Sequence, residues 1–310
     1  MTDAGVIAVD AAIAAEKPAA QQRRWLGFAL GVMLLWGVWG AATGVSIARG
    51  FPETLIYVVW SLTMIVPTVV VLARVGWRVD ASAGAIALGL LIGLTGAGGQ
   101  LLLFHAVKSG PAYLIFPIIS LSPVVTIAMS IAILRERTGL LGWTGIALAL
   151  VALPLLDFAP GGTGEHGGWF WLALLVMAAW GVQAFAMKFA NTRMSGESIF
   201  AWMTLSGLLL APVAWAMTDW SQPVNWGWDG PWLAAGIQLL NAIGALLLVF
   251  AFRYGKAIVV APLTNAGAPL TTALIALAAA GVVPGPLKTV ALMLALVAAA
   301  LLALTAERDG

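Results

Sequence analysis

The residues that could do chemistry in this chain are amides, hydroxyls and indoles set in long apolar stretches. The chain has no cysteine and only two histidines, His105 and His166. That excludes disulfides, thiolate metal sites and a histidine-rich metal site. An enzyme site would need an acid/base pair, an activated nucleophile or metal ligands, and the apolar stretches offer none of these. We therefore expect no enzymatic activity, no metal and no cofactor.

Two proline-containing motifs give the strongest signal for a binding site. They read Pro117-x-x-Ser120-x-x-Pro123 and Pro262-x-Thr264-Asn265-x-x-x-Pro269. Proline removes a backbone donor and weakens the preceding helical turn, and broken backbone at membrane depth is tolerated where it lines a wet cavity. We predict helix hinges at the four prolines and substrate contacts at Ser120 and Asn265. The alternative is a kink sealed by packing, with Ser120 bonded to its own helix.

Three side-chain amides also lie inside apolar stretches. Gln238 and Asn241 are three residues apart and share a helix face, and Gln100 lies one turn before Phe104. An amide that faced lipid would lack a hydrogen-bond partner, so these faces should turn inward. Asn241 and Gln100 are predicted to line a substrate path, ahead of Gln238. The alternative role is a hydrogen bond between helices, of about 0.6–2 kcal/mol.

Aromatic side chains could complete such a site. Trp36 and Trp180 occupy equivalent places in an internal repeat, and Gln183 lies one turn after Trp180. Indole rings stack on other rings and attract cations, although with 15 tryptophans in the chain many will be interfacial belt residues. His105 is a candidate for proton coupling. The predicted substrate-binding set is Trp36, Gln100, Ser120, Trp180, Gln183, Asn241 and Asn265.

The elements that must position these residues are transmembrane helices. Hydrophobic residues make up 62% of the chain and charged residues 9%, far from the composition of a soluble domain. A span needs about 20 apolar residues, and every Asp, Glu, Lys and Arg falls outside the stretches of that length. The predicted spans are 26–48, 54–73, 84–107, 111–134, 139–156, 168–187, 198–217, 231–252, 257–280 and 289–306.

The basic residues set the predicted orientation. Of the 15 Lys and Arg, all but Arg49, Lys108 and Lys288 fall on the side of the N-terminus. The positive-inside rule then places both termini in the cytoplasm, with tails at 1–25 and 307–310. Acidic residues interrupt the first 25 positions, so this segment does not resemble a secretory signal peptide. We expect a multi-pass protein of the bacterial inner membrane.

The second half of the chain echoes the first. Met33-x-x-Trp36-Gly37-Val38 recurs as Met177-x-x-Trp180-Gly181-Val182, and residues 148–152 recur letter for letter at 294–298. A nearly constant offset of about 145 holds through five predicted spans, which defines repeats at 26–156 and 168–306. Because five is odd, the second copy must enter the membrane from the opposite side. Inverted repeats of this kind are a recurring design in secondary transporters.

These motifs resemble the drug/metabolite transporter superfamily, in particular its ten-helix EamA-type members. The resemblance covers about residues 26–306 and is carried by Trp36-Gly37, Trp180-Gly181 and the run Gly110-Pro111-Ala112…Pro117…Ser122-Pro123…Leu134-Arg135-Glu136-Arg137. It implies an all-α integral membrane protein that transports a metabolite. The family often carries an acid after the ninth helix, where this chain has Gly281–Pro284. We interpret Glu136 as a helix-end charge paired with its arginine neighbours.

The sequence therefore predicts a secondary transporter that works by alternating access, with its two five-helix halves rocking. The absence of charged residues inside the predicted spans favours a neutral or zwitterionic substrate, such as an amino acid, an aromatic metabolite or a sugar. A channel and a lipid flippase or scramblase are the alternatives. The expected partners are a small-molecule substrate and the lipid bilayer. A net charge of +2 is no signal for nucleic acid, and a homodimer stays open.

Overall fold

The computed structural model describes residues 3–109, 115, 118–157, 168–280 and 285–308, and within these ranges the chain is helical without a strand. The helices are α1 Asp3–Ala48, α2 Glu53–Thr63, α3 Ile65–Arg74, α4 Ala83–Ser109, α5 Ser122–Met129, α6 Leu140–Asp157, α7 Gly168–Ala190, α8 Gly196–Ala216, α9 Leu233–Tyr254, α10 Ala257–Ala280 and α11 Pro286–Arg308. A π-helical turn at Ser130–Leu134 follows α5, and another at Trp228–Trp232 precedes α9.

Among the described residues, six helical segments are long enough and apolar enough to cross a membrane. They are Arg24–Ala48, Glu53–Arg74, Ala83–Ala106, Gly168–Ala190, Gly196–Ala216 and Trp228–Tyr254. Each overlaps one of the predicted spans. Ser122–Leu134, Leu140–Leu155 and Pro286–Leu302 are shorter apolar helices.

Two helical segments are interrupted near proline. The second predicted span breaks at Met64 into α2 and α3, because Pro67 has no N–H to donate to the carbonyl of Thr63. Pro123 lies at the start of α5, directly after a turn at Ser120 and Leu121. Pro262 and Pro269, by contrast, lie inside α10, which continues through both. Pro117 lies outside the described residues, and the hinge role of all four prolines stays a prediction.

The helices pack mainly across the two repeats rather than within them. Helix α1 packs against α9 and α10, while α4 and α5 pack against α7. Two further pairs, α2 with α8 and α6 with α11, join the equivalent helices of the two repeats. We call α1, α9 and α10 the first bundle, and α4, α5 and α7 the second bundle. Each bundle therefore mixes helices from both repeats.

Glycine lets the helices within each bundle approach closely. The carbonyl of Gly37 in α1 accepts a hydrogen bond from Thr272 Oγ1 at 2.9 Å, and the carbonyl of Gly181 in α7 accepts one from Thr126 Oγ1 at 3.0 Å. Gly37 and Gly181 are repeat equivalents, as are Thr126 and Thr272 to within one residue. The same threonine-to-glycine bond thus joins α10 to α1 and α5 to α7.

Hydrogen bonds between loops at repeat-equivalent positions join the ends of α8 to those of α2 and α3. The Asp80 carboxylate accepts hydrogen bonds from the backbone N–H and the hydroxyl of Ser195, at 2.8 and 3.0 Å. At the repeat-equivalent position, Asn225 donates its backbone N–H to the carbonyl of Gly50 at 3.0 Å. The backbone N–H of Ser195 lowers the pKa of Asp80 below its ordinary value, against a smaller opposing effect of burial.

Gly181→Ala should destabilise the protein because the added Cβ would lie 2.7 Å from the carbonyl oxygen of Ser122. Overpacking of this kind costs about 1–3 kcal/mol, which a lower thermal midpoint in detergent would report. Gly236→Ala is the matched control, since nothing lies within 4 Å of its added Cβ. Equal midpoints for the two variants would contradict the close packing of α7 on α5.

The Asp80→Asn substitution should lower the stability of the folded protein at neutral pH. In acid it should have no effect. The pKa of Asp80 is lower in the folded than in the unfolded chain. Its stabilisation is therefore present above about pH 5 and is lost as the pH falls through the lowered pKa. Thermal midpoints of parent and variant from pH 7 to pH 3 should converge, with Glu53→Gln as a control for removal of one surface carboxylate. A gap that stays constant with pH would refute the contribution.

Candidate functional site

Trp36 joins α1 to α9 through both its ring and its N–H. Its Nε1 donates a hydrogen bond to the backbone carbonyl of Asn241 at 3.2 Å. The indole ring lies against Gly244, where a Cβ would fall 2.5 Å from Nε1. Because a larger residue at position 244 would displace the ring, this glycine positions Trp36. The indole N–H is thus used inside the protein, and only the ring is left to contact a substrate.

Trp180 makes the same contacts between α7 and α4. Its Nε1 donates to the backbone carbonyl of Gly96 at 3.2 Å, and its ring lies against Gly99. Gly96 and Gly99 are the repeat equivalents of Asn241 and Gly244. The pairing of the tryptophans, predicted from sequence alone, therefore extends to their partners. The glycine-rich run at 93–99 provides close helix packing, as its composition indicates.

One turn beyond Trp36, polar side chains form a cluster. Trp39 Nε1 donates to Gln238 Oε1 at 3.2 Å, and Asn241 Nδ2 donates to the same oxygen at 3.3 Å. The indole can only donate, which fixes the orientation of the Gln238 amide and in turn that of Asn241. Gln238 is only 3% exposed. It is the common acceptor of the cluster, although its spacing alone ranked it behind Asn241.

The equivalent place in the other bundle is built differently. Gln183 replaces Trp39 at the repeat offset, and Gly93 and Gly96 replace Gln238 and Asn241. The amide of Gln183 lies against Gly96, where a Cβ would overlap it. Gln183 is half-buried. The two bundles therefore share their tryptophan contacts but differ in the polar groups next to them.

Asn265 in α10 keeps its side-chain oxygen and one amide N–H for another partner. Its Nδ2 donates to the carbonyl of Ala261 at 2.9 Å, which leaves Oδ1 for another partner. Pro269, four residues on, has no N–H for the backbone carbonyl of Asn265. Asn265, Pro269 and Thr272 recur at helical spacing and are all partly exposed. The side-chain oxygen and the backbone carbonyl of Asn265 therefore lie on a partly exposed face of α10.

The other predicted residues are less closely tied to these groups. Ser120 is half-buried in the turn before α5. Gln100 is half-buried one turn after Gly96, and its amide makes no hydrogen bond with the described residues. His105 is exposed near the end of α4. Within the described ranges no three His, Cys, Asp or Glu side chains lie close enough to hold a metal ion.

Gln238→Leu should destabilise the protein, because the N–H groups of Trp39 and Asn241 would lose their acceptor. A fully buried donor without a partner costs about 1–3 kcal/mol. Trp39 and Asn241 are half-buried, so the thermal midpoint should fall by a part of this. Gln100→Leu makes the same chemical change at a half-buried amide and should change the midpoint little. A larger loss for Gln100→Leu than for Gln238→Leu would show that the cluster is not the structural anchor we describe.

Comparison with known proteins agrees with this architecture. The EamA-like transporter family matches residues 23–156 and 167–304. A protein of known crystal structure has the same fold, with a TM-score of 0.71 at 19% identity over 91% of this chain and 97% of that chain. An uncharacterised protein of Methanocaldococcus jannaschii is 36% identical over 61 residues, 20% of this chain and 44% of the relative's length. Two family matches that together span most of its length place the chain in the EamA-like transporter family.

Proposed function

We propose that this membrane protein is a secondary transporter that moves a small neutral or zwitterionic metabolite by alternating access. The observation that carries the proposal is the matched pair of tryptophan contacts, Trp36 with α9 and Trp180 with α4. Equivalent contacts in two bundles support two conformations of similar energy, in which the bundles exchange roles. The transporter family is non-enzymatic, and these contacts serve binding and movement rather than chemistry.

The proposed topology has ten spans arranged as two inverted five-helix repeats. Five spans in each repeat place the second copy upside down relative to the first. The excess of Lys and Arg on one side supports cytoplasmic termini in a bacterial inner membrane. In this orientation the cluster of Trp39, Gln238 and Asn241 lies outward of Trp36, and Gln183 lies inward of Trp180.

The packing favours bundles, rather than sequence halves, as the units that move. Helices α1, α9 and α10 hold together through bonds such as Thr272 to Gly37, and α5 and α7 through Thr126 to Gly181. A rocking of residues 26–156 against 168–306 would have to break both. Motion of the first bundle against the second keeps both bonds, so it replaces the simpler picture of rocking halves.

The free oxygens of Asn265 suit a substrate that carries hydrogen-bond donors. The N–H groups of Trp36, Trp39 and Trp180 are all bonded within the protein. Asn265 contributes acceptors, its Oδ1 and its backbone carbonyl. An amine, a zwitterion or a polyol would supply the missing donors, and the aromatic rings would cover its apolar parts. Proton coupling through His105 stays a prediction, and its exposed position gives it no partner in the cluster.

Asn265→Ala and Ser120→Ala should weaken substrate binding and transport while the protein stays folded. Amino acids, aromatic metabolites, sugars and quaternary amines are first screened for a rise in thermal midpoint, because a ligand of the folded state alone raises it. The ligand found is then used in liposome flux. Loss of one hydrogen bond to a neutral group costs about 0.5–1.5 kcal/mol, a few-fold weaker binding.

Thr264→Val is the matched control for Asn265→Ala. Thr264 is buried next to Asn265 and bonds to the carbonyl of Val260 in its own helix. Its loss should leave transport unchanged. If both Asn265→Ala and Ser120→Ala transport every ligand found as the parent does, the proposed site is wrong. Flux that does not saturate would favour a channel, and movement of labelled lipid would favour a flippase or scramblase.

A further inference from the structure

A network with charged side chains joins the two bundles at one end. The Glu136 carboxylate, just beyond α5, accepts a hydrogen bond from the backbone N–H of Ile258 at 3.1 Å. Lys188 of α7 donates to the carbonyl of Gly255, at the end of α9. Glu136 therefore binds a helix start in the other bundle, and the expected pairing with its arginine neighbours is replaced by this contact.

Both bonds suit the helix ends that they join. The first N–H groups of a helix lack partners within it, and a carboxylate there also meets the positive end of the helix dipole. A lysine at the last carbonyls of a helix meets the negative end. Glu136 thus caps the start of α10, and Lys188 caps the end of α9. Residues on both sides of the turn between α9 and α10 therefore bind to the second bundle.

Two neighbouring contacts strengthen the same link. Asn191 Nδ2, just after α7, donates to the carbonyl of Val249 in α9 at 3.0 Å. Lys256 Nζ, in the α9–α10 turn, donates to the carbonyl of Arg137 at 3.1 Å. Glu136 and Lys188 also attract each other electrostatically. All of these bonds run from one bundle to the other, so separation of the bundles at this end must break them together.

The opposite end of the molecule lacks these groups in its sequence. At the repeat offset, Glu136 corresponds to Gly281, Lys188 to Gly44 and Asn191 to Ile47. None of the three replacements carries a charge or an amide. The repeat therefore does not reproduce these three side chains in the sequence of the other end.

We propose that Glu136, Lys188 and Asn191 form a latch that holds the cytoplasmic side of the transporter closed and biases the resting protein toward the outward-facing state. This inference rests on the proposed alternating access and orientation. The latch favours one of two otherwise similar conformations by the free energy of its bonds. Substrate arriving from outside would then have to offset the latch before the inner side opens.

Cysteine labelling tests the latch without a substrate, since the chain has no cysteine of its own. Gln183→Cys reports access from the cytoplasmic side and Ala42→Cys, one turn beyond Trp39, reports access from outside. Both positions are half-buried. A membrane-impermeant maleimide is applied to inside-out and right-side-out vesicles, and labelling rates are compared with and without Glu136→Gln and Lys188→Met together.

Loss of the latch should raise labelling of Gln183→Cys about tenfold, because a hydrogen bond to a charged group contributes enough for a tenfold change in population. Labelling of Ala42→Cys should fall, since the outward-facing state becomes less populated. Lys188→Arg, which keeps the donor, and Arg74→Gln, which removes an exposed charge on the same side, should label as the parent does.

Two outcomes would overturn the proposal. The first is unchanged labelling of Gln183→Cys in a protein whose thermal midpoint shows that it is folded. The second is a parallel rise at both reporters, which would mean that the variants loosen the structure instead of opening one side. Either result leaves the transport proposal to be judged by the ligand screen and the liposome flux, because neither reporter depends on a substrate.

Discussion

Hydrocarbon offers no hydrogen bonds, so polar groups inside a membrane-spanning bundle must find partners within the protein. Several polar groups of this chain find such partners where helices come together at glycine. Gly37 and Gly181 let threonine hydroxyls of the neighbouring helices reach their carbonyls. Gly99 and Gly244 make room for the two indoles that bond across the next helix pair. The close approach at these glycines determines which helices form a bundle.

Much of this arrangement could be predicted from the sequence because the bilayer limits what a chain can do. Charged residues excluded from apolar stretches predicted where helices lie, and the described helices overlap those stretches, although α1 begins at Asp3 in the charged N-terminal segment. The constant repeat offset predicted that Trp36 and Trp180 would have equivalent surroundings, and their bonds show that they do. These inferences depend on length, charge and periodicity, which a single chain displays without reference to its partners.

The bond partners could not be predicted, because they depend on how each helix is rotated and on what lies across from it. Gln238 and Asn241 share a face, yet only the position of Trp39 on another helix makes Gln238 the common acceptor. Glu136 looked like a surface charge among arginines, and the α9–α10 turn that it caps is more than a hundred residues away in sequence. Pro262 and Pro269 lie inside a continuous α10, and their predicted role as hinges stays a prediction.

The differences between the two repeats carry more information about function than their likeness does. Contacts that repeat, such as those of Trp36 and Trp180, describe the helix packing that the two bundles share. Trp39 and Gln183 differ, as do Gln238 and Gly93, so equivalent places in the two bundles carry different polar groups. A carrier with identical halves would have no preferred resting state. In the proposed carrier, the charges of Glu136 and Lys188 and the unequal polar groups would distinguish the two faces of the molecule, and they lie where the repeat is broken.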